Sequence, residues 1–153
     1  MTDDPDDPRE HPAPEHCRPD GVTDAEVAAV GKLSEALETV ERARGHLYDF
    51  HQLIGHADLQ LGEAVDALRS AGRADLAATI DTDLVGRNVV PGRWTFQVVE
   101  EFDDGYWSAF RRWERTARDT VLGGRRHVYE AEMKEARRTH GRPGHESRPA
   151  EED

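Results

Sequence analysis

Residues 94–113 read WTFQVVEEFDDGYWSAFRRW, and how this stretch folds decides the architecture. It holds every tryptophan of the chain and three of its four phenylalanines. Aromatic side chains bring the largest apolar area per residue, so the stretch is expected at the centre of the core. Phe96, Val99, Tyr106, Phe110, Trp113, Ala117 and Val121 recur at helical spacing and predict one amphipathic helix. A rival reading pairs LVGRNVV and RWTFQVV as a β-hairpin about Pro91-Gly92. A lone two-stranded ribbon is marginal in water, and the helical stripe continues past the second arm, so the helix is preferred.

Upstream, GRNVVPGRW (86–94) is a break, because Pro91 lacks a donor and disfavours helical angles at Val90. Before it, Leu76, Ile80 and Leu84 mark a short helix, and Leu61, Val65 and Leu68 another that stops at Gly72. Val30, Leu33, Leu37, Val40, Leu47 and Ile54 form the stripe of a long first helix, expected to end or bend near Gly55. Its start is spelled Thr23-Asp-Ala-Glu26, a capping box. Downstream, residues 95–138 would make a helix longer than a small domain's diameter, so either Gly105 and Gly123-Gly124 break it or its end projects and pairs, and beyond Gly124 it carries a thin stripe of Tyr129, Met133 and Ala136.

Seven of the eight prolines lie at or before Pro19 or at or after Pro143. Together with acids and glycines they make both ends poor in apolar surface. The expected fold is all-α, a three- or four-helix bundle over residues 23–139 built on one core, with disordered acidic tails at 1–22 and 140–153.

The net charge of −12 opposes general binding to phosphate backbones or anionic membranes. Only residues 111–138 are basic, and pairs such as Glu114 with Arg118 fit a solvated helix face. The single cysteine, Cys17, allows no disulfide framework and no thiolate metal site. No apolar run approaches the roughly 20 residues of a membrane helix, and the acidic start MTDDPDDPRE is unlike a signal peptide, so a cytoplasmic protein is expected. Neither GxGxxG nor GxxxxGK[ST] occurs, and Ser108 lacks the second glycine of a nucleophile elbow.

Arg44 and His51 complete the apolar stripe of the first helix, and Asp103 does the same in the aromatic stretch, with Glu100 beside it. Packing of these helices would pair Asp103 with His51 or Arg44, since inward charges need partners. The same residues define the alternative function: His51, Glu100 and Asp103 as ligands of a divalent metal or iron in a bundle of the ferritin-like oxidase type. Such sites use Glu-x-x-His, which places both ligands on one face, and no histidine here has a glutamate three residues before it.

GRNVVPGRWTFQVVEEFDDGYW (86–107) together with GGRRHVYEAEMKEARR (123–138) resembles a group of uncharacterised small helical proteins of GC-rich actinobacteria. The resemblance spans about residues 30–140 and implies the boundaries and the cytoplasmic setting, with no activity or ligand attached. The expected function is protein association, with a homo-oligomer or another protein docking on the last helix through Tyr129, Met133 and Ala136. No catalytic residue and no cofactor are expected. Nucleic-acid binding by the arginine-rich last helix is a third reading, opposed by the overall charge.

Overall fold

A computed structural model describes residues 7–148. It is all-helical: α1 (Asp24–Ser70), α2 (Ala74–Asp83), α3 (Thr95–Phe102), α4 (Ser108–Leu122) and α5 (Val128–Arg137), with 3-10 turns at Pro8–Glu10 and Pro14–His16. The chain divides into two compact units. The terminal unit joins residues up to Glu38 with those from Phe110 onward, and the central unit is Thr39–Ala109. Helices α1 and α4 each contribute to both. Buried apolar residues fall accordingly into two groups in place of one core: Val27, Val30, Leu122 and Val128 in the terminal unit, and Val65, Ala77 and Val99 in the central one.

The capping box forms as spelled. Glu26 Oε2 accepts from the Thr23 backbone N–H at 2.8 Å, and Thr23 Oγ1 accepts from the Glu26 N–H at 3.3 Å. These bonds satisfy free N–H groups of the first turn and hold the Glu26 carboxyl below its ordinary value. From there α1 runs on to Ser70, through the expected break at Gly55. A helical glycine costs only about 1 kcal/mol relative to alanine. Leu47 before that position and Leu61 and Val65 after it stay on one partly buried side at helical spacing, so the helix and its packing continue. The true stop is Gly72, left-handed at φ 79°: the Arg73 N–H bonds Leu68 O at 2.9 Å and the Gly72 N–H bonds Arg69 O at 3.1 Å, a Schellman ending.

The 86–94 break is a turn. Pro91 followed by Gly92 at φ 76° has the signature of a type II turn, closed by the Arg93 N–H on Val90 O at 3.0 Å. That single bridge is all that forms of the rival hairpin, and no strand occurs among the described residues. The predicted fourth helix is present in two pieces joined by a π-helical turn, Asp103–Trp107.

This turn displaces part of the expected stripe: Tyr106 and Trp113 leave it, while Val99, Phe110, Ala117 and Val121 stay at least partly buried. It inserts one residue and so rotates the following face by about 100°. Trp107, Phe110, Glu114, Ala117 and Leu122 turn inward, while Tyr106 and Trp113, both predicted inside, are exposed, Trp113 at 62%. Trp94 and Phe96 are exposed as well, so the aromatic stretch is not the centre of a core. Valines and one alanine occupy the central unit's interior instead.

The tails also depart from expectation where they are described. In residues 7–22, Arg18 reaches Glu132 through Nε at 2.6 Å and Nη2 at 2.7 Å, and His16 Nδ1 lies 2.7 Å from Arg126 O. Arg138, with its side chain 2% exposed, binds both Glu10 at 2.7 Å and Glu135 at 2.6 Å. In residues 140–148 the Ser147 N–H bonds Arg9 O at 2.7 Å. Low hydrophobicity left these segments without an apolar reason to fold, and ion pairs with α5 supply one that composition does not register. The tail expectation for residues 1–6 and 149–153 lies outside the described residues.

Candidate functional site

The polar centre of the central unit is built on Arg44 of α1. Its guanidinium grips Asp103 in a fork, Nε to Oδ1 at 2.7 Å and Nη2 to Oδ2 at 3.0 Å. The same group stacks 3.9 Å over the Trp107 ring and 4.8 Å from the Tyr48 ring, and Nη2 donates to Tyr48 Oη at 3.3 Å. Asp103 and Trp107 reach the same cation from positions four apart, the neighbour spacing of a helical face. Arg44 holds the Asp103 carboxyl below its ordinary value, and Asp103 raises Arg44 in return. Both side chains remain partly open, at 26% and 20% exposure, so water screens the pair.

Of the two partners expected for Asp103, the arginine takes it. His51, two turns further along α1, instead places Nδ1 2.6 Å from Thr95 Oγ1 at the start of α3. Glu100 is exposed. The three residues proposed as metal ligands are therefore not gathered: Asp103 is engaged by a cation, His51 by a hydroxyl, and Glu100 faces solvent. Among the described residues no three His, Cys, Asp or Glu side chains converge as a cation site. A hollow beside Thr95 is lined by Ile54, Gly55, Asp58, Val89 and Trp94, and Asp58 Oδ1 closes one wall by accepting from the Gly86 N–H at 2.9 Å. Sequence reading missed Thr95 because it begins a helix and lies on no apolar stripe.

In the terminal unit, Glu114 is buried and shared. Its Oε1 accepts from Arg118 Nε and from Ser34 Oγ, each at 3.1 Å, and Arg118 Nη1 donates to Gly124 O at 3.0 Å. The expected Glu114–Arg118 pair is thus present, but as an interior contact and not on a solvated face. One arginine of the basic run is consequently turned away from any external ligand.

The α5 stripe is divided. Tyr129 lies on α1 at Gly31, where a Cβ would come within 2.9 Å of Tyr129 Cγ, so glycine there permits the close approach. Tyr129, Met133 and Ala136 all stay exposed. No helix among the described residues is long and apolar enough to cross a membrane. Scanned against family models, curated proteins and solved structures, the chain matches none.

Proposed function

We propose that this is a small cytoplasmic helical protein that acts by associating with protein, its principal contact face lying on the central unit. One observation carries the reading. The central unit buries only Val65, Ala77 and Val99, while Leu53, Leu59, Leu76, Leu84, Trp94 and Phe96 all stand exposed, Leu59 at 70%. Scattered single apolar residues on a surface are ordinary, but a unit whose large apolar side chains are mostly outside and whose small ones are inside is inverted relative to a self-sufficient core. Covering such side chains is what a protein partner does, and aromatic residues are favoured at the centres of those contacts. The expected last-helix stripe of Tyr129 and Met133 is the lesser candidate face, because Tyr129 is already partly spent on α1.

A photo-reactive amino acid placed singly at Leu59, Trp94 and Met133 tests this inside intact cells. The expected result is discrete protein adducts from Leu59 and Trp94. Irradiation that yields none from any of the three positions would remove the association reading.

A further inference from the structure

α1 carries two apolar stripes, and only one of them faces the interior of its unit. The second occupies positions 43, 46, 50, 53, 57, 60, 64 and 67, alternating steps of three and four without a slip, and every one of these positions is exposed. That is the a/d spacing of a coiled-coil seam, sustained for three and a half heptads, or about 37 Å at 1.5 Å per residue. All of it lies within the central unit. Its residues are Phe50 and Leu53 in the middle, alanine at 43, 57, 64 and 67, and the polar His46 and Gln60. The alanines permit close helix approach, and Leu53 is 66% exposed in the single chain.

We infer that this seam pairs antiparallel with the same seam of a second copy of the chain, an inference that rests on the association reading and names its partner. The charges flanking the seam select this arrangement. On one side the flank is Arg42, Asp49, His56 and Glu63, and on the other it is the inward stripe of Leu47, Ile54 and Leu61. A parallel pair would set each charged flank against the partner's apolar one, with no charge complementarity. An antiparallel pair sets the charged flanks against each other. With Phe50 opposite the partner's Leu53, Arg42 meets the partner's Glu63 and Asp49 meets the partner's His56, each twice by symmetry. Asp49 lies 4.0 Å from His46 on its own helix, an exposed contact that leaves it open to a second donor.

Shifting the antiparallel register by one heptad in one direction opposes Asp49 to the partner's Glu63, and in the other opposes Asp49 to itself, so like charges reject both. The favoured register also sets His46 against the partner's Ala57 and Gln60 against the partner's Ala43. Each polar side chain then meets a small one and keeps a path to water.

Sedimentation equilibrium on the full chain, with helix content followed by circular dichroism, tests the inference. The unmodified protein is expected to be dimeric at about 100 μM, and Leu53→Glu to be monomeric with its helix content intact. Ala57→Arg, which the favoured register sets against the partner's His46, serves as the independent second disruption. Arg42→Glu and Glu63→Arg should each weaken the dimer about tenfold, and the double substitution should restore it, because two symmetric pairs are exchanged together. A monomeric unmodified chain would overturn the pairing while leaving adducts to a different protein, from the photo-crosslinking, as support for association. A dimer indifferent to both Leu53→Glu and Ala57→Arg would overturn the seam, and failure of the double substitution to recover would overturn the antiparallel register.

Discussion

The two units of this chain are stabilised by different means. In the terminal unit four apolar side chains cluster, and charged groups close on one another both across the sequence, Arg18 on Glu132 and Arg138 on Glu10, and within a turn, Arg138 on Glu135 and Arg118 on Glu114. In the central unit three small buried residues, the Arg44–Asp103 fork, the Arg69–Asp81 pair and the His51–Thr95 contact do this work, while most large apolar side chains look outward. The terminal unit has used its surface to hold itself together, and the central unit has kept its own available. Polar pinning and apolar exposure are complementary here, because a segment fixed by specific ion pairs does not need large side chains for burial.

Deleting residues 1–22 should have the largest effect on this contrast. It removes Glu10 and Arg18 and leaves the nearly dry guanidinium of Arg138 with Glu135 as its one carboxylate. The melting temperature by circular dichroism should fall by roughly 10 °C for a chain of this size. Equal melting of the two forms would return residues 7–22 to the status of a tail and dissolve the distinction between the units.

Acid comes next, because the carboxylates held below their ordinary values are unequally shared. Asp7 is lowered to about 2 by its bonds with Arg9. Glu10 and Glu135 are lowered chiefly by Arg138, and Glu26 by Thr23, all in the terminal unit. In the central unit Asp103 is the one carboxylate held low, by Arg44. A carboxylate whose folded value is depressed contributes stability that is present above its unfolded value and lost as the pH falls through the folded one. Hydrogen exchange measured stepwise from pH 5 down to about 2 should therefore show the terminal unit losing more protection than the central unit across the carboxylate range. Parallel loss in both would mean these contacts are too screened to matter.

What could be read from the sequence was local. Thr23 with Glu26, Gly72 after Ser70 and Pro91-Gly92 each punctuate the chain through atoms a few residues apart, and each does so as spelled, whereas at Gly123-Gly124 the sequence left a break and a continuous helix both open and the structure has the break. The one-residue insertion at 103–107 is invisible to a periodicity argument, since it merely moves the inward face from Tyr106 and Trp113 to Trp107 and Glu114. The docking of the described N-terminal residues depends on arginines meeting glutamates more than a hundred positions away, which composition averages into a net charge. In the candidate site, Arg44 and Asp103 were legible because both interrupt apolar stripes. The second stripe of α1 was hidden because four of its eight members are alanine and weigh little beside Leu47 and Ile54.

Asp103→Ala probes the bidentate contact at the polar centre of the central unit. It strips Arg44 of both carboxylate oxygens but leaves the cation over Trp107 and Tyr48 with access to water. The expected loss is about 1–2 kcal/mol, below the range for a fully dry pair, read as a shift in denaturation midpoint. Asp103→Asn, which retains one acceptor, should lose less. A loss several times larger would show that the fork is the central unit's main support and that its apolar exposure is tolerated for that reason.

The smallest effect should come from Leu59→Ser. Leu59 lies outside both α1 stripes and is 70% exposed, so its replacement removes little area from water that was not already wet. Stability of the isolated protein should stay within about 0.5 kcal/mol by denaturant titration, the usual range for a surface site without structural partners. The value of so small a number lies in what it separates. If Leu59→Ser left folding alone yet reduced adduct formation from Trp94 in cells, the exposed leucine would be serving a partner and not the fold. If instead it destabilised the purified chain as a core substitution does, by about 2 kcal/mol or more, Leu59 would be packed in solution, and the picture of a central unit that keeps its large apolar side chains outside would fail at its most exposed member.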